Sequence, residues 1–399
     1  MKLFYAIILL LIIFTGCERN PQQIQQVERE DHFTLDIGRL EDQIALFMVD
    51  NHGIMQQTRM AMRDGFFYIS DGNGAKVQRF NSYGDLLFMI YNEELNPPPL
   101  SLRPLQEGSL VTRWAISYPL QEPGYIAVDS RNHIYVQDRM PYERHSFDPE
   151  TRAYLDNVVL HFDADGRFLQ FLGSDGIGGS PFPRIEALFT SLYDDLAVVC
   201  RIPLGWNIYW FNNEGAFLYE IQLRNENIPV PPDRDMVFAS LDNIAAAPDG
   251  RKLYVKINYF RDTFDESTNT RTGNEPDSSV IWIMDVESGA WERTIEVPFF
   301  EFSIDERSTS ETFRVFYSMI GVSNNSRIFL SFPVAEGYSL LILSYDTDIH
   351  QQQRLIWVHP EELYYNEFNL SSDGILSALL VDEWQARLVW WRTDRISGN

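Results

Sequence analysis

The chain has few of the residues from which disulfide-stapled or metal-bound proteins are built. Only two of its 399 residues are cysteine, Cys17 and Cys200, so at most one disulfide could form, and none if Cys17 is modified. None of its histidines forms an H-x-x-x-H or a similar ligand pair. They are His32, His52, His133, His145, His161, His350 and His359. The composition therefore predicts no metal site.

Recognisable catalytic motifs are also missing. The sequence contains no G-x-S-x-G, no Walker loop and no G-x-G-x-x-G. Asp and Glu are abundant, so paired carboxylates for glycoside hydrolysis stay open as a possibility. We predict no catalytic residue and no cofactor.

Basic residues are scarce beside acidic ones. The chain has 32 Lys and Arg against 57 Asp and Glu, which gives a formal charge of −25. Such a surface disfavours nucleic acid and anionic lipid head groups as partners. The charge is typical of a soluble surface, with a basic partner or divalent cations as the alternatives.

The longest apolar run, Leu3–Phe14, is too short to cross a bilayer core of about 30 Å comfortably. The run is followed by Thr15-Gly16-Cys17, which resembles the lipobox of bacterial lipoproteins, with Phe14 in place of the usual Leu. That resemblance implies a signal peptide over residues 1–16 and a diacylated Cys17, which would anchor the protein to a membrane. An ordinary secretory signal and an uncleaved anchor are the alternatives.

The predicted leader also indicates where the protein is located and where its folded domain begins. Residues 17–31 are polar and Gln-rich, and we interpret them as the lipidated Cys and a flexible tether. Residues 32–399 would then form a single domain. We expect it in the bacterial cell envelope, on the periplasmic face of the inner or outer membrane or on the cell surface.

A strand-rich unit recurs about six times in this domain. The second strand of each unit is rich in Ile, Val, Tyr and Phe, as strands prefer. The six copies are Phe66–Asp71, His133–Asp138, Asp195–Cys200, Lys252–Ile257, Arg327–Phe332 and Ile375–Leu380. A turn containing Gly, Asn, Asp or Ser precedes each copy and predicts a tight hairpin. Four further hairpins share a turn glycine: Gly84, Gly166, Gly215 and Gly289.

Tandem units of this kind predict an all-β fold, a six-bladed β-propeller, with seven blades or an irregular β-sandwich as alternatives. The sixth unit ends near the C-terminus with Arg387–Asp394, so it has no residues for a fourth strand. Phe33–Ile37 alternates apolar and polar residues. We therefore predict that this N-terminal strand completes the last blade.

The segment Tyr125–Gly173 resembles the NHL repeat. It carries Ile126–Asp129, then Asn132–Asp138 and then Val159–Gly166 at the positions of the repeat motif. The match is partial over Phe66–Ile90 and fades to a strand pattern in later units. The whole chain is similar to NHL-repeat and TolB-like six-bladed propeller lipoproteins of diderm bacteria, which implies a habit of binding proteins, glycans or small ligands. Some relatives are lactonases or lyases, but their channel ligands have no counterpart here.

Two long insertions, residues 139–157 and 260–279, interrupt the second and fourth units between their second and third strands. Function in propellers usually sits on loops at one face, so two insertions at one topological position predict an interaction surface there. The candidate interaction residues are Arg139, Tyr142, Arg144, His145, Phe264, Asp265 and Glu266.

Three smaller predictions concern single side chains. Asp71 and Asp138 end their strands and could belong to a ring of Ca²⁺ ligands, but local turn capping is the favoured interpretation. Cys200 ends an apolar run and is predicted to be a buried hydrophobe. The tryptophans of the last unit are predicted to pack in the core: Trp384, Trp390 and Trp391.

These observations leave three hypotheses for function. The first is a non-catalytic protein-interaction scaffold anchored by lipid in the envelope, with an envelope protein as its partner. The second is a glycan-binding or small-solute-binding lipoprotein. The third is a metal-dependent hydrolase or lactonase.

Overall fold

The computed structural model describes residues 24–46, 58–105, 112–234, 237–265, 267–306, 309–345 and 349–396. The predicted leader, Cys17 and Glu266 lie outside these residues. Over the described ranges the chain forms strands and four short 3-10 turns, with no α-helix. The turns are Tyr142–Arg144, Asn225–Asn227, Pro360–Glu362 and Thr393–Arg395. No helix in the described part has the length and apolarity needed to cross a membrane.

The first half of the chain supplies two N-terminal strands and three sheets. The N-terminal strands are β1 (Gln25–Gln26) and β2 (Arg29–Asp36). Sheet 1 contains β3 (Arg59–Arg63), β4 (Phe66–Asp71), β5 (Lys76–Phe80), β6 (Leu86–Tyr91), β7 (Arg103–Pro104) and β8 (Trp114–Ser117). The segment of sheet 2 contains β9 (Ile126–Val128), β10 (Ile134–Arg139), the separate hairpin β11 (Ser146–Asp148) and β12 (Ala153–Leu155), β13 (Asn157–Phe162), β14 (Phe168–Gly173) and β15 (Gly176–Ile177). Sheet 3 contains β16 (Arg184–Thr190), β17 (Leu196–Ile202), β18 (Gly205–Phe211) and β19 (Phe217–Arg224).

The second half supplies three more sheets and one hairpin. Sheet 4 contains β20 (Val237–Ala246), β21 (Lys252–Phe264), β22 (Arg271–Asp285) and β23 (Trp291–Val297). A separate hairpin follows, with β24 (Phe300–Glu306) and β25 (Thr309–Val315). Sheet 5 contains β26 (Ser318–Val322), β27 (Ile328–Val334), β28 (Gly337–Tyr345) and β29 (Ile349–Trp357). Sheet 6 contains β30 (Tyr365–Leu370), β31 (Leu376–Val381) and β32 (Gln385–Trp391).

The two N-terminal strands join the last two sheets. Strand β2 pairs antiparallel with β32, with Phe33 opposite Leu388, and becomes the fourth strand of sheet 6. The predicted closure by the N-terminal strand is therefore confirmed, although the strand begins earlier, at Arg29. Strand β1 pairs in parallel with β29 of sheet 5. The C-terminal part of the predicted tether is thus held against the domain by backbone hydrogen bonds, because the edges of both sheets offer it partners.

The sheets form a closed ring through their apolar side chains. One buried cluster lies between each pair of consecutive sheets. A sixth cluster joins sheet 6 to sheet 1 and contains Leu35 and Leu388 beside Met60 and Phe67. Meander sheets packed face to face in a closed ring define the fold as an all-β β-propeller.

Tight turns set the connection between the first and second strand of every sheet. Each turn holds at least one residue in the left-handed region, which Gly, Asn and Asp reach at low cost. These residues are Asp64 and Gly65 in sheet 1, and Asn132, Asp194, Gly250, Ser326 and Gly374 in the other sheets. The four shared turn glycines between third and fourth strands also have positive φ, between 67° and 85°. The turn chemistry predicted for the repeat is confirmed.

Candidate functional site

One end of the ring carries the long connections. In a four-stranded meander, the first strand starts, the second strand passes to the third, and the fourth strand ends at one and the same end. We name this end the upper face. It is defined by residues at or beside the starts of the first strands: Arg59, Tyr125, Arg184, Val237, Ser318 and Tyr365. The opposite end, with the tight turns, is the lower face.

Three additions to the repeat lie at the upper face. The hairpin β11–β12 and the extended ends of β21 and β22 both connect a second strand to a third. The hairpin β24–β25 connects the fourth strand of sheet 4 to the first strand of sheet 5. The two insertions predicted to share a face therefore do so.

The candidate residues of the first insertion differ in their surroundings. Arg139 forms ion pairs with Glu122 at 2.8 Å and Asp156 at 3.2 Å. Tyr142 is 84% exposed, and its ring contacts the imidazole of His145. A ring nitrogen of His145 lies 2.7 Å from the Met140 carbonyl oxygen, which ties the insertion back to the end of β10.

Arg144 lies in the same turn. Its guanidinium is 5.6 Å from the centre of the Phe171 ring, a distance at which a cation and an aromatic face attract each other. Sheet 2 therefore holds all four candidate residues of this insertion.

The second insertion belongs to sheet 4. Phe264, at the end of β21, exposes half of its side chain. The Asp265 carboxylate accepts hydrogen bonds from Ser267 and Thr268, which lowers its pKa to about 2. Asp265 therefore closes the turn of its own hairpin, and Phe264 is the side chain there that is open to a partner.

The upper face exposes many large aromatic side chains. They are Tyr142, Phe147, Tyr154, Phe238, Phe264, Phe302, Phe313, Trp357, Tyr364 and Trp384. The lower face exposes fewer, namely Tyr83, Phe168, Tyr193 and Phe217. Aromatic residues are enriched at protein interfaces because they bury much area while losing few rotamers.

A groove of about 850 Å³ opens at the upper face between sheets 2 and 3. Its lining includes five arginines, which sequence reasoning did not bring together: Arg59, Arg139, Arg152, Arg184 and Arg201. The lining acids are Glu122, Asp156 and Glu186. Tyr125 and Tyr154 add aromatic surface.

Arg59 is held at the mouth of the central channel. Its guanidinium binds the Glu367 carboxylate at 2.6 Å, donates a hydrogen bond to the Tyr125 hydroxyl at 2.9 Å and stacks over the ring of Tyr125. Burial raises the pKa of Glu367, while the charge of Arg59 opposes that change. The nearby Tyr365 hydroxyl donates to the Thr58 carbonyl oxygen. This network ties sheets 1, 2 and 6 together at the channel mouth.

A second cavity, of about 410 Å³, follows the channel toward the lower face. Residues from the first strands of all six sheets line it, among them Met62, Val128, Thr190, Gly321 and Asn369. Most of these side chains are apolar or bonded to backbone. The cavity brings together no set of titratable groups suited to catalysis among the described residues.

The carboxylates of Asp71 and Asp138 both accept hydrogen bonds from backbone N–H groups. The Asp71 carboxylate accepts hydrogen bonds from the backbone N–H groups of Ala45 and Gly74. The Asp138 carboxylate accepts from those of Gln121 and Glu122, and burial raises its pKa to about 7. Local turn capping is therefore shown for Asp71 through Gly74, whereas Asp138 binds backbone 16 and 17 residues earlier in the chain. In the described part of the chain, no three His, Cys, Asp or Glu side chains are arranged to hold a metal ion.

Of the remaining single-residue predictions, those for Cys200, Trp390 and Trp391 agree with the structure and that for Trp384 does not. Cys200 is fully buried in the cluster between sheets 2 and 3, as predicted, and burial raises the pKa of its thiol well above the usual value. Trp391 is fully buried, and Trp390 packs against the cluster that joins sheets 1 and 6. The prediction for Trp384 is wrong. It lies in the link between β31 and β32 at the upper face and is 74% exposed.

The arginine groove left a weak signal in the sequence. The proximity of Arg184 and Arg201 could be predicted from the strand register, since they are direct partners on β16 and β17. A pairing of the first and second strands of the third unit would have placed two cations opposite each other. The hairpin that brings Arg152 into the groove belongs to an insertion, for which the repeat offers no register.

No model of a known protein family matches the chain, and no curated protein matches it. Several solved structures are similar at low identity. A gluconolactonase from Xanthomonas campestris is 12% identical, with 94% of this chain and 100% of that one covered and a TM-score of 0.40. A hydrazine synthase structure from Kuenenia stuttgartiensis is 9% identical, with 84% and 96% covered and a TM-score of 0.38.

The β-propeller domain of the trilobed protease from Pyrococcus furiosus is 13% identical, with 65% of this chain and 78% of that one covered and a TM-score of 0.30. With every TM-score below 0.5, we draw nothing about function from these structures. The strand order and the closed ring of buried clusters are what identify the chain as an all-β β-propeller.

Proposed function

We propose that the chain is a lipid-anchored protein of the bacterial cell envelope whose six-bladed propeller is a non-catalytic scaffold that binds another envelope protein. The lipobox-like Thr15-Gly16-Cys17 supports the anchor, with Cys17 as the lipidated residue. Six meander sheets joined by six clusters support the blade number. The partial NHL motif supports kinship with NHL-repeat and TolB-like propellers.

The exposed aromatic side chains of the upper face carry the scaffold proposal. Tyr142, Phe264 and Trp384 project from the links between second and third strands in sheets 2, 4 and 6. Side chains of this kind commonly dominate binding energy at protein interfaces. Their placement on alternate sheets around one rim suits a partner that covers the upper face.

The test uses the full-length, membrane-anchored chain in cross-linked cells. The triple variant Tyr142→Ser, Phe264→Ser and Trp384→Ser removes upper-face aromatics, and the matched control Tyr83→Ser, Tyr193→Ser and Phe217→Ser removes exposed lower-face aromatics. We expect a near-stoichiometric partner that the wild type and the control retain and that the upper-face variant recovers at least tenfold less. Equal recovery by both triple variants, or recovery of the chain alone from every sample, would contradict the scaffold proposal.

A second candidate function is the binding of a glycan or a small solute. The groove of about 850 Å³ at the upper face favours it, since ligand pockets of globular proteins typically measure about 300–1,000 Å³. A ligand that binds only the folded chain would raise its unfolding temperature. We assign no residue to a hydrolytic reaction, because the described side chains bring no three metal ligands together.

A further inference from the structure

The groove between sheets 2 and 3 concentrates positive charge in an acidic protein. The chain has 57 Asp and Glu against 32 Lys and Arg, yet five arginines and three acids line this groove. A surface that follows the composition would show the opposite ratio. The charge of the groove lining is therefore opposite in sign to the net charge of the chain, and this difference needs a physical explanation.

Two of the arginines face each other across a strand pair. Arg184 on β16 is the direct partner of Arg201 on β17. Like charges at directly opposite positions of an antiparallel pair destabilise a sheet. Arg184 reaches Glu186 at 2.9 Å, but its side chain stays 73% exposed. The sheet thus tolerates a repulsion that neutral residues would avoid.

The acids of the groove leave part of its positive charge uncompensated. Glu122 and Asp156 both bind Arg139, and Glu186 binds Arg184. Arg59 is matched by Glu367 outside the lining. Neither Arg152 nor Arg201 forms an ion pair with any residue in the described ranges.

Contacts within the chain support the guanidinium of Arg201 and the backbone of Arg152. Arg201 lies 5.5 Å from the centre of the Trp206 ring, so an aromatic face supports its guanidinium. Arg152 sits in the turn of the β11–β12 hairpin with φ of 56°. The Asp148 side chain fixes that turn by accepting hydrogen bonds from Glu150 and Thr151. The guanidinium of Arg201 and the backbone that carries Arg152 are therefore supported by the protein itself.

We propose that this groove binds a small solute carrying two or more carboxylate or phosphate groups, with Arg152, Arg184 and Arg201 as the recognising residues. A guanidinium presents paired N–H donors that match the oxygens of a carboxylate or a phosphate. Tyr154 lies beside the cations and offers a flat apolar surface to the body of the ligand. The proposal rests on the second candidate function and names the chemistry of its ligand.

The test measures binding by the full-length chain in detergent, by calorimetry and by thermal unfolding at constant ionic strength. The probes are citrate and trigalacturonic acid as carboxylates, pyrophosphate as a phosphate, and galactotriose as a neutral sugar of matched size. The variant Arg152→Gln with Arg201→Gln removes two positive charges. The control Arg167→Gln with Arg314→Gln removes two from exposed sites outside the groove. The single variant Arg201→Lys keeps the charge but loses the paired donors.

We expect at least one anionic probe to bind and to raise the unfolding temperature of the wild type and the control. The groove variant should bind it at least tenfold more weakly, and Arg201→Lys should be intermediate. A comparison of the affinities for the carboxylates and for pyrophosphate shows whether the groove prefers carboxylate or phosphate groups on its ligand. Anion binding that the groove variant retains would overturn the proposal.

Different results would contradict the anion proposal and the solute-binding function. Binding of galactotriose without any anionic probe would overturn the anion proposal and leave the solute-binding function standing. Binding of no probe at all would overturn both. Circular dichroism of each variant shows whether it is folded, and since these side chains are exposed, we expect both double variants to fold as the wild type does.

Discussion

At the lower face, six short turns join the first strand of each sheet to the second, and every one places at least one residue at positive φ. At the upper face, the corresponding links between second and third strands range from the two residues Pro203-Leu204 in sheet 3 to the hairpin insertion of sheet 2. The lower face is thus uniform because it is part of the repeat. The upper face is irregular because the ring constrains only where each connection starts and ends, which leaves its residues available for recognition.

This comparison predicts that stability depends on contacts inside the ring far more than on upper-face charges. The Arg29 guanidinium binds Glu362 through two hydrogen bonds, at 2.6 and 2.8 Å, and both side chains are buried. We expect Arg29→Ala to lower the free energy of unfolding by about 3 kcal/mol, the lower end for a broken buried pair, because Arg387 still binds Glu362. Urea unfolding of the full-length chain measures the change.

The matched control is Arg314→Ala on the exposed hairpin β24–β25, where Arg314 pairs with Glu301 at 3.0 Å. An exposed pair contributes about 0–1 kcal/mol. Equal losses of unfolding free energy for Arg29→Ala and Arg314→Ala would show that the buried ion pair stabilises the fold no more than the exposed pair does.

The two faces should also respond oppositely to acid. His161 lies near the lower end of β13, and burial, with His133 at 3.0 Å, lowers its pKa to about 4 from 6.5. Its contribution to stability is present above pH 6.5 and is lost as the pH falls to 4, because the unfolded chain binds the proton first. We expect a loss of about 2 to 3 kcal/mol, which His161→Gln abolishes in chemical unfolding curves measured between pH 7 and 4.

The contribution of Asp138, at the upper end of β10, to stability changes with pH in the opposite direction. Its pKa in the folded chain is about 7, above the ordinary 3.8, so the folded chain binds a proton first between these values. Stability from this group is present at pH 4 and is lost as the pH rises through 7. Asp138→Asn should remove that slope, and the same slope in wild type and variant would contradict the assignment.

The smallest effect concerns the turn glycines of the lower face. Gly84 has φ of 85°, and a Cβ there would lie 2.8 Å from Cβ of Phe33 in β2. Gly289 has φ of 67° with nothing within 4 Å of such a Cβ. We expect Gly289→Ala to cost about 1 kcal/mol through the backbone alone and Gly84→Ala about 2 kcal/mol. Thermal unfolding that ranks the two variants in the reverse order would contradict the close approach.

The difference between the faces also explains what could be predicted from the sequence. The strand Phe66–Asp71 was predicted with its observed bounds, since its apolar residues and its turn are local signals. The N-terminal closure followed from counting strands in the last unit. Both inferences use the period of the repeat.

The candidate site was less predictable because it is made from several sheets. Arg152, Arg184 and Arg201 become neighbours through a hairpin insertion and a strand register. Trp384 was misassigned to the core because its link is only three residues long, and the pattern around it is as apolar as that of Trp390 and Trp391. Neither local propensity nor turn chemistry records which side of a ring a connection faces.

The pairing of β2 with β32 has a consequence for the order in which the chain can mature. Phe33 is synthesised long before Leu388, so the bonds between them must wait until Leu388 has been made. Until then the early strand has no partner, and the gap in the ring is closed only by bringing together segments far apart in sequence, which is a slow step. The ring of such a chain stays open until Leu388 has been made, and it closes when β2 pairs with β32.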